Sequence, residues 1–158
     1  MFKILGSIAV IVSAGMLGTG RYAKLRERKY ALEAVRDGAQ KIHNNLRCMC
    51  MPLYECFLDG GVFFNKAAFY MQQGLLPGDA VKKAGKEFCF SEDDYNSVCR
   101  FSEGLMAADC EGQIRNTLYF IGELEKNIAK ADKDMETKGK LFIKGSLLTA
   151  TAVVIILL

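Results

Sequence analysis

The sequence predicts an all-α chain, a helical bundle with two long helices continuing into amino- and carboxyl-terminal transmembrane segments. Three observations predict it. Apolar residues recur at threes and fours over two long stretches, the period of a helix face. No stretch alternates polar and apolar residues as a half-buried strand would. Both ends of the chain are apolar runs, and basic residues crowd just inside each of them.

The amino-terminal run, residues 4–18, carries no charge. A helix rises about 1.5 Å per residue, so residues 4–20 reach roughly 25 Å and residues 141–158 roughly 27 Å. A bilayer core is about 30 Å thick, which makes both workable spans. Lys144 lies near one end of the second and can snorkel to the headgroups. Arg21, Lys24, Arg26, Arg28 and Lys29 follow the first run, and Lys130, Lys133, Lys138 and Lys140 precede the last. Positive flanks stay on the cytoplasmic side, so both ends predict the same orientation. The expected organisation is a span over 1–20, a cytoplasmic bundle over 21–140 and a second span over 141–158. A cleaved signal peptide competes for the first run, though the basic cluster behind it disfavours export.

The middle reads as helices in sequence. Leu25, Leu32, Val35, Ala39, Ile42, Leu46 and Met49 form a heptad stripe, with Arg28 at the position it skips. One helix is expected over about 21–48, continuous with the first span. Pro52 should open the next element from its first turn, and Gly60-Gly61 should close it. "FFNKAAFYMQQG" predicts a short helix ended by Gly74, and "LPGDAVKKAGKEF" another. Ser91 with Asp94 has the spacing of a capping box, opening a helix through about Ala107. Asp109 can cap the last helix, whose expected stripe is Ile114, Leu118, Ile121, Leu124, Ile128, Ala131 and Met135. That helix should run on into the tail. The stripes read as core faces of a bundle, with an intermolecular coiled coil as the alternative.

Charged residues make up 25% of the 158 and hydrophobic residues 51%, which excludes a disordered chain. The net charge of +3 is weak; the basic cluster after the first run lacks interleaved aromatics beyond Tyr22 and Tyr30, so it suits anionic headgroups better than nucleic acid. No glycine-rich loop ending in Lys-Ser or Lys-Thr is present, so the chain is not expected to bind ATP itself. His43 is the one histidine and stands inside a helical pattern that already explains its position. Cys48, Cys50, Cys56, Cys89, Cys99 and Cys110 lack the spacing of a zinc knuckle. Cytoplasmic thiols stay reduced, so no disulfide is expected. The residues therefore predict no catalytic group, no cofactor and no metal, and a protein that works by binding. Two alternatives stay open: an exported, disulfide-linked helical domain with a carboxyl-terminal anchor, and a membrane thiol protein.

"RFSEGLMAADCEGQ", the long charged helix behind it and "KGSLLTATAVVIILL" resemble the stage III sporulation protein AB family. Phe101, Glu103, Leu105, Asp109 and Gln113 fit the family's pattern of a Phe-Gly-Glu, a following Leu-Gly, then an Asp with a Gln four residues on. "FKILGSIAVIV" and Pro52, Leu53 and Glu55 are similar as well. Ser102 stands where the family usually has glycine. The resemblance implies a part of the channel between mother cell and forespore in endospore formers. It also implies likeness to the cytoplasmic domain of the inner-membrane platform protein of type II secretion and type IV pilus machines. The implied partners are other stage III sporulation membrane proteins and a secretion-type ATPase. Phe101, Glu103, Leu105, Asp109 and Gln113 would then be a docking motif or a helix–helix corner.

Overall fold

The computed structural model describes the backbone of residues 2–49, 51–88, 91–107 and 109–157. Side chains are described from Gly20 onward, save Met49, Ala107 and several residues beyond Phe142. Helix α1 spans Phe2–Met49, α2 Leu53–Asp59, α3 Val62–Gln72, α4 Pro77–Glu87 and α5 Glu92–Ala107. Then come α6, Cys110–Asp134, a π-helical turn at Met135–Gly139, and α7, Lys140–Leu157. Every described element is helical, as the stripes predict. The chain divides into two compact units, residues 30–129 and the paired ends 1–29 with 130–158.

Local chemistry sets the helix ends of the larger unit. Pro52 stands at the N-cap of α2 with extended backbone, one position earlier than expected. Its preset φ and missing N–H suit the helix start, and its carbonyl accepts from Cys56 at 3.1 Å. Gly61 and Gly74 follow α2 and α3 with φ of 83° and 93°, a region that side chains with a Cβ avoid. Pro77 opens α4 from its first turn. The capping box forms at α5: the Ser91 amide and hydroxyl donate to Asp94 Oδ2 at 3.1 and 2.6 Å, and Asp94 N donates to Ser91 Oγ at 3.4 Å.

The core of this unit gathers one face from each helix. Leu32, Val35, Ala39, Ile42 and Leu46 of α1 are buried, five members of the expected stripe. Helix α2 packs on α3, α3 on α4, and α4 on α5. A run of aromatic contacts links the elements. Phe57 meets Phe64 at 5.4 Å between ring centroids, and Phe63 meets Phe64 edge-on at 4.9 Å. Phe64 meets Phe101 at 6.3 Å, and Phe101 stacks on Phe120 at 4.3 Å. Such pairs contribute about 0.5–1.5 kcal/mol each beyond the area they bury.

The expected α6 stripe is corrected in one place. Ile121, Leu124 and Ala131 are buried, but Leu118 is 57% exposed. Thr117 and Phe120 take the inner positions instead. Thr117 can be buried because its hydroxyl donates to the Gln113 carbonyl at 2.7 Å.

The smaller unit pairs the ends of the chain. Lys29 Nζ meets Asp132 Oδ1 at 2.6 Å and Arg28 meets Asp134 at 3.8 Å, so α1 is tied to the last residues of α6. The Arg21 guanidinium lies over the Phe142 ring at 5.1 Å. The expected span over 1–20 and part of that over 141–158 rest on side chains outside the described residues. Among the described residues, no helix is long and apolar enough to cross a membrane.

Candidate docking corner between α5 and α6

The five residues singled out in the sequence lie at the end of α5 and the start of α6, and they divide by burial. Phe101 and Leu105 point into the core, Phe101 stacked on Phe120 and in edge contact with Phe64. Glu103 points the other way. Its side chain is 68% exposed and meets Lys82 of α4 at 3.5 Å. Asp109 is exposed, and its Oδ1 accepts from Gly112 N at 2.9 Å, which caps α6. Gln113 is half-buried, and its backbone N–H donates to the Asp109 carbonyl at 2.8 Å, closing the first turn. Any surface made from these five comes from Glu103, Asp109 and the outer part of Gln113.

A second set of residues ties α5 to α6 at the corner. Asn116 Nδ2 donates to the Phe101 carbonyl at 2.8 Å. Gly104 makes room for it, since a Cβ there would lie 2.3 Å from Asn116 Oδ1. Further along, Ser97 is buried and its hydroxyl is fully used. It donates to the Asp93 carbonyl at 3.2 Å and accepts from Arg100 at 3.3 Å and Asn127 at 3.1 Å. Arg100 also pairs with Glu123, which Lys126 meets from the other side at 3.3 Å. The Arg100 hydrogen bond, helped by Lys126, holds the Glu123 carboxyl below the usual range. Ser102 returns its hydroxyl to the Cys99 carbonyl of its own helix at 2.6 Å. A buried hydroxyl therefore fits there without a partner from another helix.

Sequence reasoning missed the exposed apolar pair on α6. Leu118 and Tyr119 are 57% and 58% exposed. They follow Arg115 and precede Gly122, whose Cα faces open space. The only signal in the sequence is that "TLYFI" holds more apolar residues than one helix face can bury.

His43 lies on α1 with Nδ1 buried and without a hydrogen-bond partner among the described residues. Cys48, Cys56, Cys99 and Cys110 are free thiols. Burial pushes the Cys56 thiol above its usual range, away from the reactive thiolate. Cys50 and Cys89 lie outside the described residues. No group of metal-ligating side chains comes together among the described residues.

The fold has a solved counterpart. A structure of stage III sporulation protein AB (SpoIIIAB) superposes with a TM-score of 0.60, covering 69% of this chain and 96% of that one. Identity is 16%, so that likeness speaks for the fold alone. No curated protein matches the chain. The sequence model of stage III sporulation protein AB matches residues 3–158, nearly the whole length. With the sequence pattern matched end to end and the same helical fold, the chain belongs to the stage III sporulation protein AB family.

Proposed function

We propose that the chain is a membrane-anchored scaffold of the secretion-like channel between mother cell and forespore. Its apolar ends hold it in the cell membrane, and the helical bundle faces the cytoplasm. There it docks sibling stage III membrane proteins and a secretion-type ATPase. It acts by binding and carries no reaction of its own. Family membership supports the sporulation setting. The basic residues inside each apolar run support the orientation.

One observation carries the docking role: Leu118 and Tyr119 stand exposed on a helix whose start is capped by Asp109 and which Asn116 ties to the Phe101 carbonyl of α5. Aromatic anchors such as Tyr119 are enriched in partner surfaces. The test is co-purification from sporulating cells. Full-length chain carrying Leu118→Ser and Tyr119→Ser should stay in the membrane fraction and lose the sibling proteins or the ATPase. Retention of every partner at the level of the unaltered chain removes this corner from the docking surface.

A further inference from the structure

The π-helical turn at Met135–Gly139 interrupts an otherwise α-helical run, and the docking role makes no use of it. Such turns add one residue to a helix and recur at functional sites. Here the extra residue has a visible consequence. Ala131 is buried. In a straight α-helix the residue seven positions on returns to within about 20° of the same face. That residue is Lys138. The widened turn brings Gly139 there instead, and Gly139 is buried. A Cβ on Gly139 would lie 2.6 Å from Tyr22 Cδ2, so the glycine sits directly on the tyrosine ring. Lys138 is left 59% exposed and meets Asp134 at 2.8 Å.

The helix just before the turn is tied to α1, and the turn has one side-chain bond of its own. Before it, Arg28 and Lys29 tie Asp134 and Asp132 to α1. Within it, the Thr137 hydroxyl donates to the Lys133 carbonyl at 2.6 Å, the same i−4 bond that Thr117 makes in α6. The straight arrangement is also chemically sound. It would lay Lys138 on Tyr22, where the stem covers the ring and the ammonium lies over its face. Arg21 makes that kind of contact with Phe142 at 5.1 Å. Asp134 and Lys138 stand four apart, a spacing that also pairs in a regular α-helix. That spacing would let the pair persist, so the change would fall on which residue covers Tyr22.

We propose that Met135–Gly139 is a two-position register joint. In the bulged position Gly139 covers Tyr22. In the straight position Lys138 covers it, and the helix beyond turns by about 100° and shifts by about 1.5 Å relative to α1. The joint lets the carboxyl-terminal helix rotate without breaking. It does not depend on which partner the bundle docks.

The test places a photocrosslinking p-benzoylphenylalanine at position 22 of the full-length chain in lipid nanodiscs. Attachment sites are mapped by mass spectrometry. The unaltered turn should attach chiefly at Gly139. Gly139→Leu blocks the bulged position, so the attachment should move to Lys138 while helical content stays unchanged. A folded Gly139→Leu chain that still attaches at 139, or at neither residue, overturns the joint. Deleting Thr137 removes the extra residue and keeps the glycine in phase with Ala131. That chain should keep attachment at the glycine and its thermal midpoint. If it loses either, the phase argument fails, whatever becomes of Gly139→Leu.

Discussion

Phe101 and Glu103 are two residues apart and point in opposite directions, so their substitutions should separate folding from docking. Phe101→Ala removes a buried ring stacked on Phe120 and should cost about 3–5 kcal/mol, read from denaturant unfolding of the full-length chain in detergent. Glu103→Ala touches an exposed ion pair and should change stability by less than about 0.5 kcal/mol. Loss of a partner by Glu103→Ala alone would then reflect a lost contact rather than unfolding. Glu123 gives a pH prediction. Its folded pKa is held below the ordinary value by Arg100 and Lys126. Its contribution is therefore present above the unfolded pKa of about 4.3 and lost as pH falls through the folded value. Glu123→Gln should flatten the acid limb of an unfolding-midpoint titration below pH ~4.3. An unchanged limb would mean that the Arg100 pair adds nothing in solution.

At the scale of the element, the caps separate structure from recognition. Asp109→Ala removes the acceptor for Gly112 N and should cost about 1 kcal/mol. Asp109→Asn keeps an acceptor at the cap and should leave stability nearly unchanged. If both variants keep their partners, Asp109 serves the helix alone. If Asp109→Asn loses a partner while staying stable, the carboxylate charge is being read. Ser91→Ala should also cost about 1 kcal/mol, since the hydroxyl serves as acceptor for Asp94 N and donor to Asp94 Oδ2. These caps were legible in the sequence because three or four neighbouring residues decide them. The seam of α6 was less legible. Leu118 and Phe120 are equally apolar, and only the stacking of Phe120 on Phe101 fixes which faces inward.

For the whole molecule, the proposed anchoring and the proposed role can be tested apart. Carbonate washing of membranes should leave the full chain in the pellet, and a chain truncated before residue 141 should be retained less firmly. Deletion of the gene in its own host should arrest spore formation after engulfment, with a collapsed forespore visible by microscopy. Normal spores would overturn the channel role and leave the helical scaffold. Restoring the deletion with the Leu118→Ser, Tyr119→Ser chain then asks whether the corner is the part that matters.

The sequence by itself determined the helical class, most helix ends, the α1 seam and the family. Each follows from local spacing, or from an order of residues along the chain, and neither needs knowledge of what lies across the core. Only the tertiary structure decided the rest. It separated Phe101 and Leu105, which are buried, from Glu103 and Asp109, which are not, although all four belong to one motif. It exposed Leu118 and Tyr119, and it placed the π-turn where Gly139 could meet Tyr22. The physical reason is common to all three. The period of a helix says which residues share a face, but only a neighbouring helix says which face is covered and where the phase must slip to stay on it.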